Sequence, residues 1–320
     1  MQELVLRVNK GVFLEFDTTL IALDPLVLPV KKPAIVLISH AHQDHYSPSV
    51  LRKLPPDTKI VMSVASRRII DPRGILRNIV EVAPGEVIEL GKARVEVFDA
   101  GHIIGSLQFL IDLGGREIVY TGDFNLERRI ILKPATPIRS DILLMDATYG
   151  LPTYVFPSRK EIYSDLLSLI KKNNEKEEIA LKARKLGVAQ EVTALISMAT
   201  HLPVLVEPEI AVYNEIYENF GEILGRYAIS DKPAPGAPLV AKLSRKFPRK
   251  IRSIPLTGWA TKSGIPLSSH GDFKQLVEYV KQSNPQLVIP VCGFREDFAR
   301  HVSEELGFEA SHEEEIIVKM

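Results

Sequence analysis

Short apolar runs of strand length dominate the chain as far as about residue 147 and predict a β-rich first part. The run AIVLIS at 34–39 is apolar throughout, which is typical of a strand buried on both faces. Two helices are expected within this part, near 47–54 and 64–70. The other predicted strands are LVLRV, GVFLEF, TLIALD, KIVMSV, NIVEVA, VIELG, ARVEVFDA, SLQFLIDL, REIVYTGD and DILLMDA.

From Pro157 the spacing of apolar residues becomes helical, and predicted helices alternate with short strands. SRKEIYSDLLSLIKKN predicts a helix with a capping serine, and further helices are expected at 187–199 and near 210–219. Between them lie the strands EIALKA, PVLVEP and PLVAKL and the loop SDKPAPGAP. This alternation predicts a small parallel α/β unit inserted after the β-rich part. After TGWATKSG come the helix DFKQLVEYVKQ, the apolar run QLVIPV, the helix REDFARHVSEEL and the strand EIIVK.

The composition narrows the class of protein without indicating a function. A chain of 320 residues is longer than one small hydrophobic core usually serves, which predicts a large two-layer domain with an insertion, or two domains. Its 40 basic and 40 acidic residues balance, so net charge neither supports nor excludes a nucleic-acid partner. The single cysteine excludes an intramolecular disulfide and suits a reducing compartment. Because we find no signal-peptide pattern and no apolar run of about 20 residues, we expect a cytoplasmic protein with no membrane partner.

The densest candidate chemistry lies in SHAHQDHYSP, directly after the apolar run at 34–39. His40, His42, Asp44 and His45 form the pattern H-x-H-x-D-H in a chain that has eight histidines. Alternation at a strand end can bring such side chains to one side, and zinc accepts this ligand set at about 2.0–2.2 Å. Burying these polar groups without a cation would be costly. The pattern therefore predicts a zinc site, against the alternative of a solvated loop.

Three further residues follow predicted strands and are candidates for the same site. His102 lies between two glycines in FDAGHIIGS, and Asp123 follows the strand in IVYTGD. Each is ordinary alone, but beside the first cluster they supply missing ligands, since an aspartate can bridge two cations. Asp24 in TLIALDP is either a carboxylate that orients a ligand histidine or a bound water, or a turn residue before proline.

The chain resembles proteins of the metallo-β-lactamase fold in the order of three motifs: H-x-H-x-D-H, the glycine-flanked histidine and the G-D-F aspartate. DATYG at 146–150, LSSHGDFKQL and LVIPVCGF are similar to the three additional motifs of the β-CASP nucleases. TGWATKSG resembles the prokaryotic branch of RNA 3′-end processing factor-like and ligase-associated exonuclease-like proteins, which is related to the Artemis-type nucleases. The resemblance implies an α/β fold: an αββα sandwich at 1–151 and 263–320, with a small parallel α/β (β-CASP-like) domain inserted at 152–262.

The resemblance also implies a nuclease that hydrolyses phosphodiester bonds of RNA or single-stranded DNA with a metal-activated water, in RNA processing or DNA repair. Two zinc ions are expected, one held by His40, His42 and His102 and a second by Asp44 and His45, with Asp123 bridging them. Asp44, His270 and Asp146 are the implied catalytic residues. His270 would donate a proton to the leaving group, and Asp146 would orient His270 or the attacking water.

One position departs from the RNA-cleaving members of the group. Where they place a histidine that completes the second metal site, this chain has Cys292, while the DNA-repair branch tends to have an apolar residue. Cys292 is either a thiolate ligand or a small buried hydrophobe at a strand end. The occupancy of the second zinc site therefore stays open, as does the preference for RNA or DNA.

Substrate contacts are less visible in the sequence. Basic residues cluster in KARKLG at 182–187 and LSRKFPRKIR at 243–252, and Lys182, Arg184 and Lys185 are candidates for binding a phosphate backbone. Such runs are also typical of a solvated face. The alternatives to a nuclease are a metal-dependent hydrolase of a small thioester, lactone or phosphodiester, and a non-catalytic scaffold that binds nucleic acid.

Overall fold

The computed structural model of this protein describes residues 3–91, 93–173, 177–260 and 264–319. Within these ranges the strands are β1 (Glu3–Val8), β2 (Val12–Phe16), β3 (Thr19–Leu23), β4 (Ile35–Leu37), β5 (Lys59–Ser63), β6 (Ile79–Val82), β7 (Val87–Leu90), β8 (Ala93–Asp99), β9 (Leu107–Leu113), β10 (Arg116–Tyr120), β11 (Ile142–Met145), β12 (Ile179–Ala183), β13 (Val204–Val206), β14 (Tyr227–Ile229), β15 (Leu239–Lys242), β16 (Arg252–Pro255), β17 (Leu287–Pro290), β18 (Glu309–Ala310) and β19 (Glu315–Lys319). The helices are α1 (Pro48–Lys53), α2 (Val64–Ile70), α3 (Arg159–Asn173), α4 (Val188–Ala199), α5 (Pro208–Asn219), α6 (Phe273–Ser283) and α7 (Arg295–Glu305).

The chain divides into two compact units. The first unit comprises Met1–Leu126, Pro134–Thr153 and His270–Met320, and the second comprises Glu127–Lys133 and Tyr154–Ser269. The short segment 127–133 thus belongs to the second unit, although the predicted division at 151/152 places it in the first domain. The predicted boundary at 262/263 lies outside the described residues.

Two seven-stranded sheets face each other in the first unit. Their strand orders are β19-β1-β2-β3-β4-β5-β6 and β18-β17-β11-β10-β9-β8-β7. Alternate side chains of both sheets meet in one apolar core, which includes Leu4 and Leu6 from the first sheet and Val95 and Phe109 from the second. Burial of these apolar faces is the main favourable contribution to folding of the unit.

Helices cover the outer faces of both sheets. Leu51 of α1 packs on the outer face of the first sheet, and Leu276 of α6 and Phe298 of α7 pack on that of the second. The predicted αββα sandwich is therefore confirmed. No helix within the described ranges is both long and apolar enough to cross a membrane.

The prediction of a strand buried on both faces at 34–39 is confirmed in β4. Ile35 and Leu37 enter the core between the sheets, whereas Val36 and Ile38 pack under the outer helices. β4 lies between β3 and β5 and is parallel to both. The sequence of this strand is apolar without interruption because neither of its faces meets water.

The second unit contains a separate five-stranded sheet. Its order is β14-β13-β15-β12-β16, and each neighbouring pair is parallel. Helices α3, α4 and α5 contribute Leu166, Val192 and Ile210 to its apolar core. The predicted parallel α/β insertion is confirmed, including the helix expected at 187–199, which the structure places at Val188–Ala199.

Candidate metal centre

The candidate site lies in the first unit, where several strands end. His40 follows β4, His102 follows β8 and Asp123 follows β10. β10, β11 and β17 run parallel, so the residues that follow β11 and β17, Asp146 and Cys292, lie at the same sheet edge as Asp123. Residues far apart in the sequence are brought together because the carboxyl ends of parallel strands share one edge.

Four buried side chains converge on one point: His40, His42, His102 and Asp123. His42 Nδ1 lies 3.1 Å from His40 Nε2 and 2.9 Å from His102 Nε2. Asp123 Oδ2 lies 3.4 Å from both His40 Nε2 and His102 Nε2. Ligands bonded to zinc at about 2.0–2.1 Å in a tetrahedron are separated by about 3.3 Å. The donor atoms thus have the types of a zinc site, and these four separations lie close to the tetrahedral value.

The electrostatics of this group also suit a metal. Burial lowers the pKa of His40 and, more strongly, that of His102, so both rings are held neutral with lone pairs to offer. Converging imidazole nitrogens cannot all be satisfied by hydrogen bonds to one another, whereas a cation satisfies them together. The residues present therefore fit a zinc ion, which they would bind through three nitrogens and one oxygen.

His45 borders this group from the other side of Asp123. Its Nε2 lies 3.4 Å from Asp123 Oδ1, while Asp123 Oδ2 faces His40 and His102. The two oxygens of one carboxylate thus face two different sets of nitrogens. This is the arrangement that a bridging carboxylate requires.

Asp24 accounts for the orientation of His45. His45 Nδ1 lies 2.8 Å from Asp24 Oδ2, and because a carboxylate only accepts, Nδ1 carries a proton. Burial lowers the pKa of His45, but the Asp123 and Asp24 carboxylates outweigh this and raise it, so a metal ion would bind Nε2 by displacing its proton. Asp24 also accepts hydrogen bonds from the backbone N–H of Ser39 at 2.7 Å, from the Ser39 hydroxyl, and from the Tyr120 hydroxyl at 2.8 Å. Burial and the Asp24 charge raise the pKa of Tyr120, which keeps it a donor.

Ser39 and Tyr120 are contributors that the sequence reading missed. Both lie inside apolar runs that we interpreted as strands, AIVLIS and REIVYTGD, so nothing in the pattern distinguished them from core positions. One signal was available: each is a polar residue near the end of a strand that leads into a histidine or aspartate motif.

Gly122 shows how closely the two sheets approach beneath the site. Its φ is +52°, and a Cβ built there would lie 2.6 Å from Ser39 Cβ. Glycine is therefore required both by the backbone conformation and by the contact with Ser39. The contact fixes where Asp123, the next residue, enters the cluster.

A second carboxylate–histidine pair lies beside the cluster. His270 Nδ1 lies 2.9 Å from Asp146 Oδ2, and its Nε2 lies 3.5 Å from Asp123 Oδ2. Asp146 Oδ1 accepts hydrogen bonds from the Thr148 backbone N–H at 2.7 Å and from the Cys292 thiol at 3.1 Å. Burial raises the pKa of Cys292, and the Asp146 charge raises it further, so the sulfur is a neutral donor in this arrangement.

Other predicted site residues lie elsewhere. Asp44 has an exposed side chain and is not part of the three candidate ligand groups of the described chain, which are His40/His42/His102/Asp123, Asp24/His40/His45 and Asp123/Asp146/His270. In the second unit, Arg184 is exposed and Lys182 is partly buried. Lys185 lies 3.5 Å from a carboxylate oxygen of Glu209 and sits over the Tyr213 ring.

Comparisons with known proteins agree with this geometry. Residues 17–156 match the family described as a beta-lactamase superfamily domain, and residues 262–312 match the family described as a Zn-dependent metallo-hydrolase RNA specificity domain. The first match contains the cluster residues, and the second contains His270 and Cys292.

Two curated relatives and one solved structure extend the comparison. A "Probable DNA ligase" from Opitutus terrae is 29% identical over 294 residues, which cover 85% of this chain and 28% of that protein. "RNase aCSPSF2" from Saccharolobus solfataricus is 26% identical over 216 residues, 59% of this chain and 44% of that protein. The chain thus spans less than half the length of either relative. A protein of unknown function from Enterococcus faecalis V583 shares the fold, with a TM-score of 0.69, 15% identity, and coverage of 99% of this chain and 100% of that chain.

Proposed function

Because the chain belongs to the β-CASP metallo-β-lactamase family, we propose that it is a zinc-dependent nuclease that hydrolyses phosphodiester bonds of RNA or single-stranded DNA. The relatives that match include proteins named as endoribonucleases and RNases. The observation that carries the proposal is the buried convergence of His40, His42, His102 and Asp123, with Nε2 of His270 3.5 Å from the same aspartate.

Two zinc ions are proposed, with His40, His42 and His102 holding one, His45 contributing to the second, and Asp123 shared. Asp44, whose side chain is exposed, would have to turn inward to join the second set. When bound, zinc supplies a Lewis acid that activates water near neutral pH and offsets the charge of the transition state. Asp24 fixes the tautomer of His45, since His45 Nδ1 donates to it at 2.8 Å.

His270 is proposed to protonate the leaving oxygen. Asp146 holds His270 Nδ1 at 2.9 Å, which leaves Nε2 directed toward Asp123 and the place of the reacting phosphate. A fixed imidazole whose ordinary pKa lies near neutrality is suited to this transfer. Asp146 acts here as a positioning residue, because its hydrogen bond orients the ring.

We propose a metallo-β-lactamase domain at 1–151 and 263–320 and a β-CASP domain at 152–262, in a cytoplasmic enzyme. Segments 127–133 and 264–269 depart from these bounds, because both belong to the second compact unit. Lys182, Arg184 and Lys185 remain candidates for contacts with the phosphate backbone. The pairing of Lys185 with Glu209 weakens its case, because that charge is already partly offset.

The test combines metal analysis with cleavage of end-labelled single-stranded RNA and DNA, each with and without a chelator. We expect zinc in the purified protein and cleavage that the chelator abolishes.

Asp123→Ala or His42→Ala should abolish cleavage with the fold retained, and His270→Ala should slow cleavage more than it weakens binding. His201→Ala, at an exposed histidine of the second unit, is the matched control. Zinc without cleavage of either polymer would indicate a small-molecule hydrolase instead.

Cys292 is proposed to be a hydrogen-bond donor to Asp146 and not a metal ligand. We expect Cys292→Ser to leave the zinc content unchanged, because a hydroxyl can replace the thiol as donor at 3.1 Å. Cobalt-substituted wild-type protein should lack the charge-transfer absorption of a thiolate–cobalt bond. Loss of a metal ion in the variant, or that absorption in the wild type, would make Cys292 a ligand.

A further inference from the structure

Trp259 is the single tryptophan of the chain, and 52% of its surface is exposed. It lies in the second unit, in the segment that follows β16. Tryptophan is usually largely buried because its side chain is the largest apolar surface that a residue can remove from water. A half-exposed indole therefore leaves apolar surface available to a ligand.

The loop that presents Trp259 is tied at its base. Leu256 and Ile265 form a parallel bridge, and the backbone N–H of Thr257 donates to the Ile265 carbonyl at 3.1 Å. Within the loop, the N–H of Ala260 donates to the Thr257 carbonyl at 2.9 Å. These backbone contacts hold the described residues on either side of Trp259, which reduces the entropy lost when a ligand binds the indole.

Tyr154 braces the indole. The two ring centroids lie 5.1 Å apart with an interplanar angle of 81°, an edge-to-face pair. This contact fixes the indole plane while about half of the side chain stays open to solvent. A flat ring that is held in place and open to solvent is the form of a stacking platform.

The surroundings of Trp259 favour a small flat ligand group over a protein partner. Its described neighbours along the loop, Thr257, Gly258 and Ala260, are small and half-buried or buried. Protein interfaces use contiguous apolar patches of several hundred Å², whereas a nucleobase needs one ring. Every base offers a π-face, so this contact is tolerant of sequence.

We propose that Trp259, braced by Tyr154, is a stacking subsite for an unpaired base of a single-stranded nucleic acid. This inference rests on the proposed nuclease function and names one contact that holds the substrate. It gives the second unit a binding role that does not depend on its basic residues.

The test uses Trp259 as its own reporter. The metal-loaded protein is titrated with a short phosphorothioate-linked oligothymidylate, and separately with an abasic strand of the same length and linkage. We expect the base-bearing strand to quench the intrinsic tryptophan fluorescence and the abasic strand to leave it unchanged. Affinities of fluorescently labelled strands are then measured by anisotropy for Trp259→Ala, Trp259→Phe and the control Phe220→Ala, which removes another exposed aromatic of the same unit.

Trp259→Ala should weaken binding of the oligothymidylate by about 5- to 150-fold and leave binding of the abasic strand unchanged. Trp259→Phe should retain most of the affinity, and Phe220→Ala all of it. Equal affinities of Trp259→Ala and wild type, or equal quenching by the abasic strand, would overturn the subsite. If cleavage of RNA or DNA persists in that case, the nuclease proposal stands without it. If neither strand binds and neither polymer is cleaved, the nuclease proposal itself fails and the subsite with it.

Discussion

His45 can ligate a cation through Nε2 only while Nδ1 keeps its proton, and Asp24 fulfils that condition. Four donors surround the Asp24 carboxylate: the N–H and hydroxyl of Ser39, the Tyr120 hydroxyl, and His45 Nδ1. An ionised carboxylate can accept all of them because it has two oxygens and no proton. The ligand geometry at His45 thus depends on a residue that lies one contact away from the candidate metals.

Asp24→Asn tests this dependence. An amide offers one oxygen and places an NH₂ group against donors, so we expect about 10- to 100-fold weaker zinc binding with the fold retained. Competition with a chromophoric chelator measures the affinity. Asp17→Asn is the control, because Asp17 also has a positive φ, 55° against 45° for Asp24, but is exposed. Unchanged affinity in Asp24→Asn would remove the orienting role.

Individual site residues could be predicted from the sequence where several potential metal-ligating residues lie close together along the chain. His40, His42 and His45 were found because their spacing is unusual for a chain with eight histidines. Ser39 and Tyr120 were missed, because each lies in an apolar run and their shared partner Asp24 is 15 and 96 residues away. The exposure of Asp44 could not be foreseen either, since spacing alone does not fix which side chains of a loop turn inward.

At the scale of elements, the site depends on how two sheets meet at their strand ends. Gly122 follows β10 and Ser39 follows β4, so their contact joins the second sheet to the first. The Ser39 carbonyl also accepts a backbone hydrogen bond from Leu107, at the start of β9, at 2.8 Å. These contacts set the distance between the histidines that follow β4 and the aspartate that follows β10.

Gly122→Ala should therefore displace Asp123. A Cβ would meet Ser39 Cβ at 2.6 Å, so we expect loss of bound zinc and of cleavage together with reduced stability. Gly115→Ala is a matched control: its φ is +83°, but nothing lies within 4 Å of the added Cβ. It should cost about 1–2 kcal/mol of unfolding free energy from the backbone conformation and retain zinc. Zinc content and urea unfolding distinguish the two variants, and equal zinc in both would contradict the argument.

Elements with strong periodicity were predicted well, and short polar ones were not. β4 and α4 match their predicted runs because apolar residues mark the buried faces. β14 and β16 were missed, since YAI has only three residues and RSIP lies in a basic run with little apolar content. Both are edge strands of the parallel sheet, where pairing on one side alone decides the conformation.

At the scale of a whole unit, the second unit is held together by a buried ionic cluster as well as by its apolar core. Glu191 is fully buried and lies 3.3 Å from Arg129 Nη1 and 3.4 Å from Arg159 Nη1. Tyr163 donates a hydrogen bond to it at 2.5 Å, and Arg159 Nη2 donates to the Ser268 carbonyl at 2.8 Å. The cluster thus joins α3, α4, the segment 127–133 and the end of the unit.

Glu191→Gln should destabilise the protein by about 3–5 kcal/mol, because two buried guanidinium groups lose the Glu191 charge, although Arg159 keeps an ion pair with Glu127 at 3.3 Å. Glu209→Gln is the control, since Glu209 is exposed although it pairs with Lys185 and Lys242, and we expect little change in its unfolding midpoint. Urea unfolding followed by circular dichroism measures both variants. A midpoint for Glu191→Gln close to that of wild type would show that the cluster contributes little.

The position of β1 has a consequence for synthesis of the chain. β1 pairs with β2 on one side, which follows it at once, and on the other with β19, the last described strand, in the register Glu3 with Lys319. On the ribosome, one edge of β1 therefore stays unpaired until β19, which begins at Glu315, has been synthesised. An unpaired strand edge can pair with another chain. Misassembly of this fold is therefore expected above all between nascent chains that are translated side by side from one messenger RNA.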